Sequence, residues 1–218
     1  MLQIKNAALA YENNLVFSHL DLHLKVGEFA CISGASGCGK SSLLNAILGF
    51  IPLKEGGINV NGVELNNITI HQIRKLIAWI PQELALPMEW VRDMVQLPFT
   101  LKANRATSFN ESVLFAKFEE LGLENELYDK RVNEISGGQR QRMMIAVASM
   151  LNKSLILADE PTSALDVESS IMVRNFFLRQ AQKGCAILAI SHDANFSCGC
   201  HKRLIMGDTQ SIILRDNM

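Results

Sequence analysis

The chain has 218 residues, of which 48% are apolar, and its formal net charge is −1. This length and composition suit one domain with a sizeable core. The near-neutral charge gives no indication of a nucleic-acid-binding surface, and no apolar run approaches the ~20 residues of a membrane-spanning helix. The first residues alternate like a strand rather than a signal peptide, and the five cysteines are an odd number, so we expect an intracellular chain with reduced thiols.

The first sixty residues carry strand patterns. Apolar and polar residues alternate over residues 2–10 and again over residues 20–26, where Val26 is the last apolar position. A hairpin over residues 58–63 follows, with Asn61 and Gly62 as a strong tight-turn pair. These segments predict a small antiparallel sheet.

A glycine-rich loop lies between a predicted strand and a predicted helix. Residues 34–41 read GASGCGKS and match the phosphate-binding pattern GxxxxGK[ST] in full. Backbone N–H groups of such a loop turn toward phosphate oxygens, Lys40 reaches the β- and γ-phosphates, and Ser41 holds Mg²⁺. The predicted nucleotide-binding residues here are Gly34, Ala35, Ser36, Gly37, Cys38, Gly39, Lys40, Ser41 and Ser42.

The rest of the chain combines a helical region with alternating strands and helices. Ser108 and Glu111 match a capping box, which predicts a helix start within a helical sub-domain at about residues 87–150. Strands are predicted at residues 76–80, 155–158 and 186–190, and helices at 139–151 and 167–183. This alternation predicts an α/β fold with a mainly parallel sheet covered on both faces.

Acidic and small polar residues mark two further sites. The strand at residues 155–158 ends in Asp159, placed to hold Mg²⁺, and Glu160, placed to polarise a water. Ser136 and two glycines precede a helix, which is either a plain helix cap or a second anion-binding site. The Cys198-Gly-Cys200-His201 cluster lacks a second ligand pair at zinc-site spacing, so we favour a packing role.

These motifs, in this order, resemble those of the ATP-binding cassette (ABC) ATPase family over essentially the whole chain. The resemblance implies one domain over residues 1–218 with a P-loop NTPase core, an antiparallel β sub-domain and a helical sub-domain. Its matches are the phosphate loop, Gln82, the ISGGQ run at 135–139, the DEPT run at 159–162, the SALD run at 163–166 and the SHD run at 191–193.

The resemblance also implies a mechanism. Two cassettes would face each other head to tail, so that Ser136, Gly137, Gly138 and Gln139 of one chain bind the ATP held by the other. Glu160 would be the general base, and His192 would contact the γ-phosphate. Gln82 would sense Mg²⁺ and the water, Asp166 would communicate across the dimer, and Tyr11 would stack on adenine unless it is an ordinary strand aromatic.

Two classes of function remain open at this stage. The first is an ATPase subunit of a membrane transporter, cytoplasmic and held at the inner face of the membrane by a separate transmembrane permease subunit. The second is an ATP-gated clamp on a protein assembly or nucleic acid. Five apolar residues after Gln82 form either a permease-docking surface or sub-domain core: Leu84, Leu86, Met88, Trp90 and Val91.

Overall fold

Ten strands and seven α-helices make up the computed structural model, which describes residues 1–12, 14–83, 88–207 and, for the backbone alone, 212–216. The strands are β1 (Leu2–Tyr11), β2 (Asn14–Leu24), β3 (Phe29–Gly34), β4 (Glu55–Val60), β5 (Val63–Glu64), β6 (Ile77–Ile80), β7 (Leu155–Asp159), β8 (Ala186–Ile190), β9 (Lys202–Met206) and β10 (Ile212–Asp216). The helices are α1 (Lys40–Ile47), α2 (Ile70–Arg74), α3 (Val91–Thr100), α4 (Glu111–Glu120), α5 (Gly137–Met150), α6 (Val167–Gln182) and α7 (Ala194–Ser197).

The strands form two sheets. The first has four antiparallel strands in the order β2-β1-β4-β5. The second has six strands in the order β10-β9-β3-β8-β7-β6, of which the run from β9 to β6 is parallel and β10 is antiparallel. The predicted α/β fold with a mainly parallel sheet and a small antiparallel sheet is therefore confirmed.

Apolar side chains cover both faces of the parallel sheet. On one face, Phe29 packs edge-on against Phe177 and Phe196, with ring centroids 5.7 and 5.4 Å away. On the other face, buried residues of α1 such as Leu43 pack with Leu157 and their neighbours. All five residues of β7 and of β8 are buried, as expected for strands enclosed on both sides. The sheet is thus a rigid support for the residues at its edge.

The turn at residues 61–62 is confirmed, and the second predicted strand is too long. Asn61 and Gly62 have φ values of 54° and 84°, the left-handed pair required by the tightest hairpins. The strand β2 ends at Leu24, and Val26 is 64% exposed in the turn that follows. Apolar and polar residues keep alternating beyond Leu24, but the pairing of β2 with β1 ends at Leu24. The prediction that Val26 belongs to this strand is therefore wrong.

The helices between β6 and β7 share one apolar core with α6 and one face of the parallel sheet, and the predicted capping box is wrong. The cap of α4 is Asn110, whose side chain accepts a hydrogen bond from the N–H of Val113 at 3.1 Å. Glu111 is the first helical residue rather than the third, so its side chain cannot return to the N–H of Ser108. Three short 3-10 turns accompany these helices: Lys102–Asn104, Asn125–Asp129 and Val132–Glu134.

Of the five apolar residues after Gln82, Leu84 and Leu86 lie outside the described residues. Val91 is fully buried in the core, and Met88 packs against that core while partly exposed. Trp90 lies between two guanidinium groups, with its ring centroid 5.0 Å from Arg92 and 5.2 Å from Arg131. Within the described ranges, no helix is both long and apolar enough to cross a bilayer.

Candidate nucleotide-binding site

The carboxyl ends of β3, β7 and β8 meet at one edge of the parallel sheet, where ligands bind in open α/β folds. A cavity of about 840 Å³ opens at this edge. Phosphate-loop residues line one part of it, and the residues after β7 and β8 line the rest. The lining residues are Ser36, Gly37, Gly39, Lys40, Ser41, Ser42, Gln82, Asp159, Glu160, Thr162, Ser163, Leu165, Val167, Ile190, His192 and Asp193.

The phosphate loop joins the end of β3 to the start of α1. Gly34 has a φ of 151°, and a Cβ there would collide with the carbonyl oxygen of Met206 on the neighbouring strand. Lys40 is 7% exposed, and its ammonium donates to the carbonyl oxygens of Gly34 and Ala35 at 2.9 and 2.8 Å. The loop therefore surrounds the Lys40 ammonium. Lys40 and the first residues of α1 line the cavity.

Asp159 combines burial with an unsatisfied oxygen. Its side chain is 7% exposed, and among the described residues its Oδ1 has no hydrogen-bonding partner. Burial raises the pKa of this carboxyl, while a hydrogen bond with Ser41 and the charge of Lys40 act in the opposite direction. A buried carboxylate oxygen beside a hydroxyl is the donor set that a magnesium ion takes, so these residues fit the predicted metal.

Glu160 and His192 lie next to each other in the cavity wall. The Glu160 Oε1 lies 3.4 Å from His192 Nε2, and its Oε2 accepts a hydrogen bond from the backbone N–H of His192 at 3.4 Å. Glu160 adopts a φ of 47°, which is strained for a residue with a side chain. Burial raises the pKa of Glu160, and the adjacent His192 opposes that rise.

Two residues predicted to contact nucleotide lie at the rim. Gln82 follows β6 after Pro81 and lines the cavity while being exposed. Tyr11, at the end of β1, is 48% exposed, and its hydroxyl lies 3.2 Å from Ser42 Oγ. The structure thus places Tyr11 against the phosphate-loop helix, although its ring is not part of the cavity wall.

The run at residues 136–139 lies outside the cavity. Ser136 caps α5, since its Oγ accepts from the N–H of Gln139 at 3.1 Å and its N–H donates to Gln139 Oε1 at 2.8 Å. A Cβ on Gly138 would lie 2.9 Å from the carbonyl oxygen of Ala164, so the two segments pack closely within the chain. Asp166 caps α6 by accepting from the N–H of Ser169 at 2.8 Å.

Several site residues were missed from the sequence. Thr162 and Asp193 line the cavity, and Ser170 hydrogen-bonds to Asp193 from α6. Thr162 and Asp193 lie in the DEPT and SHD motifs, in which other residues were assigned roles. Ser170 lies in none of the motifs identified in the sequence. Across the described part of the chain, no group of three or more His, Cys, Asp or Glu side chains is arranged to hold a metal, and this includes the region of Cys198 and His201.

The sequence comparisons agree with this geometry. A family model described as ABC transporter matches residues 17–163, which is more than half of the chain. The phosphonates import ATP-binding protein PhnC 2 of Nostoc sp. is 30% identical over 228 residues, covering 98% of this chain and 91% of the relative. The ABC transporter ATP-binding protein YtrE of Bacillus subtilis is 34% identical over 199 residues, covering 88% of this chain and 85% of the relative.

Solved structures lead to the same family. The dimeric structure of MJ0796, a bacterial ABC transporter cassette, superposes with a TM-score of 0.86 at 27% identity, covering 99% of this chain and 98% of that one. A post-hydrolysis dimer of the same cassette, bound to ADP and Pi, superposes with a TM-score of 0.86 at 26% identity, covering 99% and 98%. The chain therefore belongs to the ABC transporter family, in which it is an ATP-binding and ATP-hydrolysing subunit.

Proposed function

We propose that the residues around the cavity carry out ATP hydrolysis in the roles that their positions suggest. The observation that supports this is the convergence of Lys40, the Ser41–Asp159 pair and the Glu160–His192 pair on one cavity. Lys40 offers positive charge to phosphates. The Ser41–Asp159 pair offers oxygen ligands to a cation, and the Glu160–His192 pair offers a base with an oriented neighbour. Hydrolysis of a phosphoanhydride needs all three.

Magnesium fits the residues present. Ser41 and Asp159 would hold it, with Gln82 at the cavity rim, and the ion supplies charge neutralisation at the β- and γ-phosphates when bound. The support is the unsatisfied Oδ1 of Asp159 beside the Ser41 hydroxyl.

Glu160 would act as the general base. In this step the oxygen of a water attacks the γ-phosphorus and its proton moves to the Glu160 carboxylate. The bond between the γ-phosphorus and the bridging oxygen breaks, and its electron pair stays on ADP. His192 would contact the γ-phosphate and hold the water, from its place 3.4 Å from Glu160. Lys40 would offset the charge on the transferred group.

We further propose that residues 1–218 act as one domain that closes on a second cassette in the presence of ATP. Residues 136–139 lie outside the chain's own cavity, while the N-terminus of α5 keeps the character of an anion site. A head-to-tail pair would bring this helix start to the partner's γ-phosphate. Tyr11 would stack on adenine, and Asp166 would contact the other cassette.

A transmembrane subunit on a separate chain would couple this cycle to transport at the cytoplasmic face of the membrane. PhnC 2 is named as an import ATP-binding protein, and MJ0796 is a dimeric transporter cassette. These names favour the transporter over the alternative of an ATP-gated clamp.

Glu160→Gln tests the proposed function. The amide keeps the shape of the side chain but cannot accept the proton, so we expect turnover to fall by about 10²–10⁴-fold. The variant should retain ATP binding and accumulate an ATP-bound dimer in size-exclusion chromatography. Glu119→Gln, at an exposed position of α4, is the matched control and should behave like the parent protein. Normal steady-state turnover by Glu160→Gln would refute the assignment of the base.

A further inference from the structure

The segment after β8 holds His192 between two anchored neighbours. The side chain of His192 is 53% exposed, and its Nε2 lies 3.4 Å from Glu160 Oε1. Ser191 is 1% exposed, and its Oγ accepts a hydrogen bond from the N–H of Asp193 at 3.1 Å. The position of the ring therefore depends on how firmly the backbone on both sides of it is fixed.

Asp193 is anchored through both carboxylate oxygens. Its Oδ1 accepts from the N–H of Asn195 at 2.8 Å and so caps the short helix α7. Its Oδ2 accepts a hydrogen bond from the hydroxyl of Ser170 on α6. Ser170 is 1% exposed and lies one helical turn after Asp166, to which its N–H is bonded at 2.9 Å.

A third contact ties this network to the segment after β7, which contains Glu160. Ser191 Oγ lies 3.4 Å from Thr162 Oγ1, and both residues are buried. Thr162 comes two residues after Glu160, so the base and the histidine are attached to one polar network. In this network, α6 contributes the hydroxyl of Ser170.

We propose that Ser170 is a positioning residue for His192, acting through Asp193. Ser170 does not itself line the cavity, and its side-chain hydrogen bond goes to Asp193 rather than to Glu160, so its effect passes through the carboxylate that caps α7. Loss of its hydroxyl leaves Asp193 Oδ2 without this donor and frees the carboxylate to rotate, which shifts the backbone that carries His192. A small displacement at a reacting centre is costly, because the chemical step needs reacting groups in a narrow range of geometry. This inference rests on the proposed roles of Glu160 and His192.

Ser170→Ala is the direct test. We expect kcat to fall roughly 5–20-fold, below the ~10²-fold that a full 1 Å misplacement can cause. The dissociation constant for ATP with magnesium chloride, measured by calorimetry on the monomer, should change by less than about twofold, because the phosphate loop is untouched. Ser197→Ala is the matched control, since it removes a buried hydroxyl from α7 that bonds only to the carbonyl oxygen of Ala194, at 3.4 Å, among the described contacts.

A double-mutant cycle separates positioning from general loss of stability. In an Asp193→Ala background, Ser170→Ala should lower kcat no further, because the route from Ser170 to His192 is already cut. An independent, multiplicative effect in that background, or a Ser197→Ala loss as large as that of Ser170→Ala, would overturn the inference. His192→Ala separates failure of the proposed site from failure of the inference about Ser170. Full activity of His192→Ala refutes the proposed site. An inactive His192→Ala together with a Ser170→Ala of normal activity refutes only the inference.

Discussion

His192 Nε2 lies 3.4 Å from Glu160 Oε1, although the two residues follow different strands. The strands β7 and β8 are adjacent and parallel, with Asp159 paired to Ile190, so Glu160, the first residue beyond β7, lies next to His192, the second residue beyond β8. Glu160 is only partly accessible to water, and burial holds its pKa above the usual value for glutamate. The pair therefore keeps a carboxylate of increased basicity next to a group that can orient a water.

The raised pKa makes a prediction about stability. A carboxyl whose pKa is higher in the folded state than in the unfolded chain favours folding below its unfolded pKa, and this contribution is lost as the pH rises through the folded value. Glu160→Gln removes the charged form, so at pH 7.5 we expect its Tm to exceed that of the parent. The difference should vanish near pH 4 in calorimetric scans without nucleotide. A Tm difference independent of pH would contradict this cause.

Lys40→Ala should abolish nucleotide binding or hydrolysis. Lys40 is a buried residue at the base of the phosphate loop and lines the cavity where the β- and γ-phosphates are proposed to bind. Calorimetric titration with ATP and a phosphate-release assay measure the two effects, and Lys5→Ala, an exposed change on β1, is the control for lost charge. Parent-like hydrolysis by Lys40→Ala would show that this loop does not bind the transferred phosphate.

Ser136→Arg should spare ATP binding by the monomer and block dimerisation and hydrolysis. Ser136 lies outside its own chain's cavity, and a large side chain at the start of α5 would fill the space proposed for the partner's γ-phosphate. The isolated protein should be monomeric without ATP in light scattering, as should this variant with ATP. Loss of ATP affinity in the Ser136→Arg monomer would contradict action across a dimer.

Mixing Ser136→Arg with Lys40→Ala tests the same geometry by activity. A head-to-tail heterodimer of the two would carry both lesions in one site and leave the other site intact. We expect partial recovery of ATP hydrolysis on mixing, with none in either variant alone. If residues 136–139 served their own chain's nucleotide, every site would carry a lesion and mixing would restore nothing.

The two glycines of the 136–139 run should differ in their tolerance of a methyl group. A Cβ on Gly137 meets its nearest described neighbour, Ala164 Cβ, at 3.9 Å, whereas one on Gly138 lies 2.9 Å from a backbone carbonyl oxygen. Replacing a helical glycine by alanine gains up to about 1 kcal/mol of helix propensity. Gly137→Ala should therefore keep or raise the Tm, and Gly138→Ala should lower it, in thermal scans without nucleotide. Equal Tm values would show that the contact with Ala164 is easily relieved.

Residue types and their spacing were enough to predict the parts of this protein that depend on local pattern. The phosphate loop, the acids after β7 and the alternation of strands and helices are such parts, because each is contiguous in the chain. The family, the α/β fold and the ATPase activity followed from these motifs. Where local patterns compete, the prediction was less exact: Ser108 and Asn110 are both good caps, and the extended backbone of Asn110 just before the first helical turn decided between them.

Contacts between residues far apart in the chain became known from the folded arrangement of the strands and helices. The order β3-β8-β7 brings Ser41 to Asp159 and Glu160 to His192, and it leaves residues 136–139 outside the cavity. No periodicity links Ser170 to Asp193, because the contact depends on how α6 packs against the segment after β8. The physical reason is that strand and turn propensities act between neighbours in the chain, while the geometry of a site is set by sheet order and core packing between residues far apart in sequence.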